Sequence, residues 1–426
     1  MKSKALFCLL LMALSGAALA QEGSIPAGVR HLDHVFVIVM ENHGYSQLAG
    51  NPAAPFINEY MKQANLATNY FAVGHPSSTN YLELVGGSNF GDRSDNNPDW
   101  HNKTCTPNLE SPGVTVTDFP SSSNVCPIAG AGTDAGTPAI DFTNECPNPS
   151  AADPCLPGLI DIDGKLSIPA KQGIVGKTIA DQLAERNQTW KSYQESLPPT
   201  GADRVNFSDG WFTDASNIPA VLPDQPPTAK SLVQLYAAKH NPFVYFQSIQ
   251  EGLTPGSSLK NIVGFEGKGG LYEDLESGQV PNFSLIAPNQ CNDQHGRGNA
   301  GAQCDFDPTD NGTQGGLNPA AIYIGDLKLR NIVHAIHASR AWREGRNAIV
   351  VVWDENDYSL APNKNQVIAT VDTNYGPHGL KSANFYTHFS LLKSLDAGFG
   401  LPCLNHACDE NVNVMSDLFG SRSDTN

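Results

Sequence analysis

His34-Val35-Phe36-Val37-Ile38-Val39-Met40-Glu41-Asn42-His43-Gly44 is the stretch on which the fold turns. Its β-branched and aromatic residues run without a polar break, as a strand covered on both faces of a parallel sheet requires. The run then stops at an acid and an amide. Open α/β sheets collect ligands at the carboxyl ends of their strands, where loops converge on a rigid apolar frame. A second run, Ala348-Ile349-Val350-Val351-Val352-Trp353-Asp354-Glu355, repeats the design near the far end of the chain. If the two strands are neighbours, Glu41, Asn42, Asp354 and Glu355 converge, and such a cluster is stable only with a cation to neutralise it.

The amino terminus reads as a cleavable secretory signal over residues 1–20: Lys2 and Lys4, an apolar run from Ala5 to Leu14, then Ala18-Leu19-Ala20 before Gln21. It is too short for a transmembrane span, has no cysteine at the cleavage point and no twin arginine, so general export is expected, to a periplasm or the medium. No later stretch reaches the roughly 18 apolar residues of a membrane helix. Of nine cysteines, Cys8 lies in the signal, leaving Cys105, Cys126, Cys146, Cys155, Cys291, Cys304, Cys403 and Cys408. In an oxidising compartment these read as up to four disulfides, with a zinc site as the rival reading. The formal charge of −17 argues against nucleic acid or anionic membrane as a bulk partner. It leaves a phosphorylated substrate open, because salt screens a distant field over about 8 Å.

Along the chain, helical spacing is expected from Pro55 to Tyr70, and the second half of His75-Pro76-Ser77-Ser78-Thr79-Asn80-Tyr81-Leu82-Glu83-Leu84-Val85-Gly86-Gly87 is helical, ending on glycines. Ser77 then falls at a helix N-terminus, which favours an anion and makes a hydroxyl easier to deprotonate; the competing role is a plain N-cap. Residues 88 to about 172 read as a loop-rich insertion pinned by disulfides, a lid or rim over the site. Alternation then resumes: helix Thr178–Arg186, strand Trp190–Tyr193, helix Lys230–Lys239, strand Pro242–Phe246, strand Phe283–Ala287, helix Ala320–Ser339, strand Ala348–Glu355 and helix Phe385–Leu395. The pattern implies an α/β fold, a mainly parallel central sheet with helices on both faces, in one domain over residues 21–426. The strand Phe283–Ala287 empties into Pro288-Asn289-Gln290-Cys291-Asn292-Asp293-Gln294-His295-Gly296. No G-x-S-x-G elbow and no Gly-rich nucleotide loop is present.

Together, Met40–Ser46, His75–Gly87, Lys239–Phe246, Pro288–Gly296, Val351–Asp357 and Tyr386–Leu395 resemble the phosphoesterases that include secreted acid phosphatases and phospholipases C, relatives of alkaline phosphatase and sulfatases. The resemblance implies an alkaline phosphatase-like fold and one divalent metal (Ca, Mg, Mn or Zn) held by Glu41, Asn42, Asp354 and Glu355. It implies Ser77 as nucleophile, attacking phosphorus to form a phosphoserine that water releases. Ser78 and Thr79 are nearby hydroxyls, and many members have proline where this chain has Thr79. His75 and His295 are the proposed proton carriers, because each lies beside a segment that already contributes to the site. His240, Asp293 and His388 are weaker site candidates. His378 reads as loop, His334 and His337 as an ordinary helix face, and Asp305–Asp310 as a turn rather than a calcium loop, lacking the glycine and the closing glutamate.

The expected function is a secreted metal-dependent phosphomonoesterase of the acid phosphatase type, acting on a phosphorylated small molecule or lipid. The alternative is a phospholipase C on phosphodiesters, against which stand the absent twin-arginine signal, the short C-terminal end and the lack of a basic or aromatic surface. A sulfatase is disfavoured by the setting of Ser77. From another class, a non-catalytic cation-binding scaffold would hold a structural ion with the same four oxygens. No nucleic acid and no integral membrane association is expected. Metal identity, natural substrate and oligomeric state are open.

Overall fold

The computed structural model describes residues 22–74, 77–88, 90, 176–197, 235–250, 252–296, 303–304, 318–356 and 365–420. The strands among them are β1 (His34–Met40), β2 (Asn65–Ala67), β3 (Tyr70–Phe71), β4 (Trp190–Gln194), β5 (Ile262–Val263), β6 (Phe283–Ala287), β7 (Asn347–Trp353), β8 (Ala369–Thr373), β9 (Lys381–Ser382) and β10 (Tyr386–Thr387). Eight form one sheet in the order β5-β4-β6-β1-β7-β8-β2-β9, and β10 pairs with β3 apart from it. From β5 through β7 every pairing is parallel; β8 alone runs against its neighbours. The fold is therefore α/β around a mainly parallel sheet.

The central strand is the run that opened the sequence. Val35 through Met40 are buried, and so is all of β7. Branched side chains that crowd a helix fit a pleated strand packed on both sides, and each large apolar residue contributes about 1.5–3 kcal/mol by leaving water. Helices supply the two covers. Ser77–Gly86 packs with His388–Phe399, and Pro55–Gln63 packs with Pro319–Ala338. No described helix is long and apolar enough to cross a membrane.

Several boundaries differ from the sequence expectation, for tertiary reasons. The helix that starts at Pro55 ends at Gln63, because Asn65 is drawn into the sheet, where its side chain bonds Pro377 O, Leu418 O and the Leu380 N–H. The last helix starts at His388 and runs to Phe399, after Tyr386 and Thr387 have paired with Tyr70 and Phe71. Pro242–Tyr245 is a 3₁₀ helix and not a strand. A short apolar run buried on every side carries no period to choose between the two. Leu235 to Ala237 are irregular and Ala238–His240 is a 3₁₀ turn, so the helix expected up to Lys239 does not reach its described end. Disulfides join Cys291 to Cys304 and Cys403 to Cys408. The signal segment, the other four mature-chain cysteines, His75, Asp305–Asp310 and nearly all of the 88–172 insertion lie outside the described residues.

Asp396, on the helix His388–Phe399, is fully buried. Burial first, then the charge of Glu22, holds its carboxyl well above the usual range, against the Leu404 N–H and the Lys393 ammonium. A raised folded pKa means that the native state keeps a proton the unfolded chain releases, so this group costs stability as pH rises above about 4. The stability advantage of Asp396→Asn over wild type is therefore expected to grow from pH 4 to pH 7 in thermal unfolding. A pH-independent difference would refute the assignment.

Candidate active site

β6, β1 and β7 lie side by side and parallel, with Met40 opposite Trp353, so their carboxyl ends open on one place. The Asn42 N–H donates to Asp354 Oδ1 at 3.0 Å. The Asp354 N–H donates to Met40 O, and the Glu41 N–H to Asp293 O, each at 2.9 Å. Asn42 has φ 56°, a left-handed conformation that asparagine tolerates better than most residues, and there the chain turns off the strand.

Ser77 is the first residue of the helix Ser77–Gly86 and is fully buried. Its hydroxyl lies 3.0 Å from Glu41 Oε2 and 3.2 Å from Glu355 Oε1. One proton serves two carboxylate oxygens, so the hydroxyl already has an acceptor for it. Asn80, one turn on, fastens the approach: Nδ2 donates to Gly74 O and Glu355 Oε2, while Oδ1 accepts from the Val73 and Gly74 N–H groups.

His240 is held between two acids, Nε2 3.1 Å from Glu41 Oε1 and Nδ1 3.3 Å from Asp293 Oδ2, with the Tyr81 ring stacked on it at 5.3 Å. The His295 N–H donates to Asp293 Oδ1 at 2.7 Å. Its Nδ1 lies 3.0 Å from Gly296 O, which can only accept, so Nδ1 carries the proton. Its Nε2 then accepts from the buried Lys239 ammonium at 3.2 Å. His388 donates from Nε2 to Asp354 O at 2.7 Å and accepts at Nδ1 from the Tyr70 hydroxyl at 3.0 Å. Burial pushes it down to about 4, so it is neutral at physiological pH and fastens the end of β7.

The acids are in an unfavourable state by themselves. Burial, with mutual repulsion added, raises the carboxyls of Glu41 and Asp293 well above the usual range, and burial raises Asp354 to about 6. Asn42 Oδ1 and Asp354 Oδ2 are buried with no hydrogen-bond partner among the described residues. Glu41, His240 and Asp293 each offer a donor atom, all within 4.8 Å of one another. A divalent cation fits such a site: it offsets the repulsion and partners the orphaned oxygens. The nitrogen of His240 moves the donor set away from the all-oxygen character of Ca²⁺ or Mg²⁺ sites toward borderline ions.

The structure brings together Glu41, Asn42, Ser77, Asp354 and Glu355, all expected from sequence, and adds His240 and Asp293 at the centre rather than the edge. His295 is present through Lys239, and His388 touches only the backbone of Asp354 among the site residues. His337 pairs with Asp372 and His378 lies near it, away from the site. Sequence reasoning missed Lys239 and Asn80 as site residues. Both lie inside stretches that carry other site candidates, and an internal lysine beside a histidine was the available signal.

The chain matches the Phosphoesterase family over residues 51–305. It belongs to that family. It is 23% identical over 381 residues to an acid phosphatase of Aspergillus fumigatus, covering 88% of this chain and 57% of the relative. A probable acid phosphatase of Kluyveromyces lactis is 22% identical, with 92% of this chain and 63% of the relative covered. A phosphatidylinositol-3-phosphatase of Mycobacterium tuberculosis is 22% identical over 96% of this chain and 90% of its own length. The chain thus spans 57 to 63% of the length of these two fungal relatives. Among solved structures, a protein in the alkaline phosphatase superfamily from Vibrio parahaemolyticus superimposes with a TM-score of 0.44 at 14% identity, covering 89% of this chain and 69% of the other.

Proposed function

We propose that this chain is a metal-dependent phosphatase that hydrolyses phosphate monoesters through a phosphoserine at Ser77. The observation that carries the reading is the Ser77 hydroxyl, at the start of a ten-residue helix, in contact with Glu41 and Glu355 inside a cation-fitting cluster. Its relatives, acid phosphatases and a phosphatidylinositol-3-phosphatase, favour a monoester over a diester.

Glu41, Asn42, Asp354 and Glu355 would hold the ion, with His240 and Asp293 available to the same site. A bound divalent cation supplies charge that eases deprotonation of a nearby hydroxyl and offsets charge on phosphoryl oxygens. Ser77 Oγ gives up its proton to a carboxylate and forms a bond to phosphorus as the bond to the leaving oxygen breaks. Free N–H groups at the helix start favour the phosphoryl oxygens. His295 is the candidate that passes a proton to the leaving oxygen and takes one from the water that releases phosphate, with Lys239 as its proton partner. His75 keeps the same candidate role from the sequence. Disulfides fit an oxidising compartment, and we read the enzyme as secreted or periplasmic, with its first 20 residues removed.

Hydrolysis of a chromogenic phosphomonoester beside a phosphocholine diester, before and after chelation and metal add-back, tests this. Metal-restored preference for the monoester is expected. Preference for the diester would turn the reading to a phospholipase C, and no turnover of either would leave a cation-binding scaffold.

A further inference from the structure

Between Asp293 and His295 sits Gln294, whose side chain points away from both. Its backbone is left-handed, φ 85°, a conformation costly for a residue with a side chain. Such strain persists only when the surroundings over-determine it, and here they do. The Trp353 indole N–H donates to Gln294 Oε1 at 3.0 Å, and Gln294 Nε2 donates to Ile322 O at 2.9 Å. Both bonds are buried, so losing either leaves an unsatisfied group. Trp353 immediately precedes Asp354, and Ile322 lies on the helix Pro319–Ala338. One side chain therefore ties the loop bearing Asp293 and His295 to the last residue of β7, from which the chain runs straight into Asp354 and Glu355.

The helix makes room for it. A Cβ on Gly325 would lie 2.2 Å from Gln294 Cγ and 3.2 Å from Asn292 O. Gly325 lies inside a long helix, where alanine is the better helix former. Close approach of Gln294 supplies the physical reason for glycine there.

We propose that Gln294, seated against Gly325 and clamped by Trp353, is a positioning residue that aims Asp293 at His240 and His295 at Lys239. The inference rests on the reading of this site as a metal-dependent phosphatase. Its test uses the full mature chain, stripped of metal by chelation. Mn²⁺ binding, kcat and KM for a chromogenic phosphomonoester, and metal-free thermal unfolding are measured for wild type, Gly325→Ala, Gln294→Gly and the double variant. Gly398→Ala is the control: its Cβ would meet Leu32 Cδ1 at 2.6 Å, a similar overpacking in the helix His388–Phe399, at the end away from His388.

Gly325→Ala and Gln294→Gly are each expected to weaken Mn²⁺ binding by about 10- to 100-fold, the usual effect of losing a group that orients a ligand, and to lower kcat more than they raise KM. The double variant should lose little beyond Gln294→Gly, because the 2.2 Å clash with Gln294 Cγ is gone and only the Asn292 O at 3.2 Å must give by a few tenths of an ångström. Gly398→Ala should lose thermal stability while binding Mn²⁺ as wild type does. Wild-type affinity in Gly325→Ala and Gln294→Gly, or an equal loss in Gly398→Ala, would overturn the proposal. If Gly325→Ala does not fold, Gln294→Gly decides alone. If wild type neither binds Mn²⁺ nor hydrolyses the ester, the phosphatase reading falls and takes this inference with it.

Discussion

Ser77→Ala is expected to lower phosphomonoester hydrolysis by on the order of 10⁴-fold or more while leaving the fold and cation binding in place. The change removes one oxygen, the one 3.0 Å from Glu41 Oε2 and 3.2 Å from Glu355 Oε1. Alanine is a good residue within a helix, so the backbone of Ser77–Gly86 has no reason to shift. The two carboxylates lose a shared donor, and a bound cation would compensate them. If Ser77 only capped its helix, the variant would lose about 1 kcal/mol of stability and keep its turnover. The two roles therefore predict opposite results in one preparation. Acid-quenched wild type, digested and weighed by mass spectrometry, should carry phosphate on Ser77 during turnover. Turnover of Ser77→Ala within tenfold of wild type would remove Ser77 from the mechanism.

The second large effect is expected at Asp354. Asp354→Asn keeps the shape of the side chain and an oxygen to accept from the Asn42 N–H, but removes a negative charge from a buried group of acids. Cation affinity should fall by about 10²-fold or more, since a charged oxygen is exchanged for a neutral one in a medium that screens little. Activity should return as metal is raised. The metal-free protein should behave in the opposite way, and be at least as stable as metal-free wild type, because a like charge close to Glu41 is gone. Calorimetric metal titration and thermal unfolding in chelator measure the two sides. Unchanged affinity would take Asp354 out of the ligand set, and a strongly destabilised metal-free variant would mean that its charge is satisfied by the protein alone.

The legible part of the site was the part written along strands. A continuous apolar run ending in Glu41-Asn42, and another ending in Asp354-Glu355, can hardly fold except as buried parallel strands whose ends are close. β1 and β7 do pair residue for residue. Ser77 was legible because the apolar residues from Tyr81 to Val85 mark a helix and so locate its start. His240 and Asp293 are weak candidates from sequence because nothing near them in the chain shows what they face. His240 lies where helix and strand were expected, and the chain there forms 3₁₀ turns instead.

Composition and pattern by themselves determined the α/β class, the two central strands, the acid and amide at their ends, and the hydroxyl at a helix start. These are local properties, set by side-chain branching, by period and by the unsatisfied groups of a helix terminus. Only the tertiary structure decided that β6 lies against β1 and that the 3₁₀ turn Ala238–His240 meets their ends, which sets His240 against Glu41 and Asp293 and Lys239 against His295. It also decided that Gln294 is held left-handed between a tryptophan and a glycine of distant segments. Such contacts join residues far apart along the chain, and the free energy that chooses them comes from packing the whole sheet, which no short window of sequence contains.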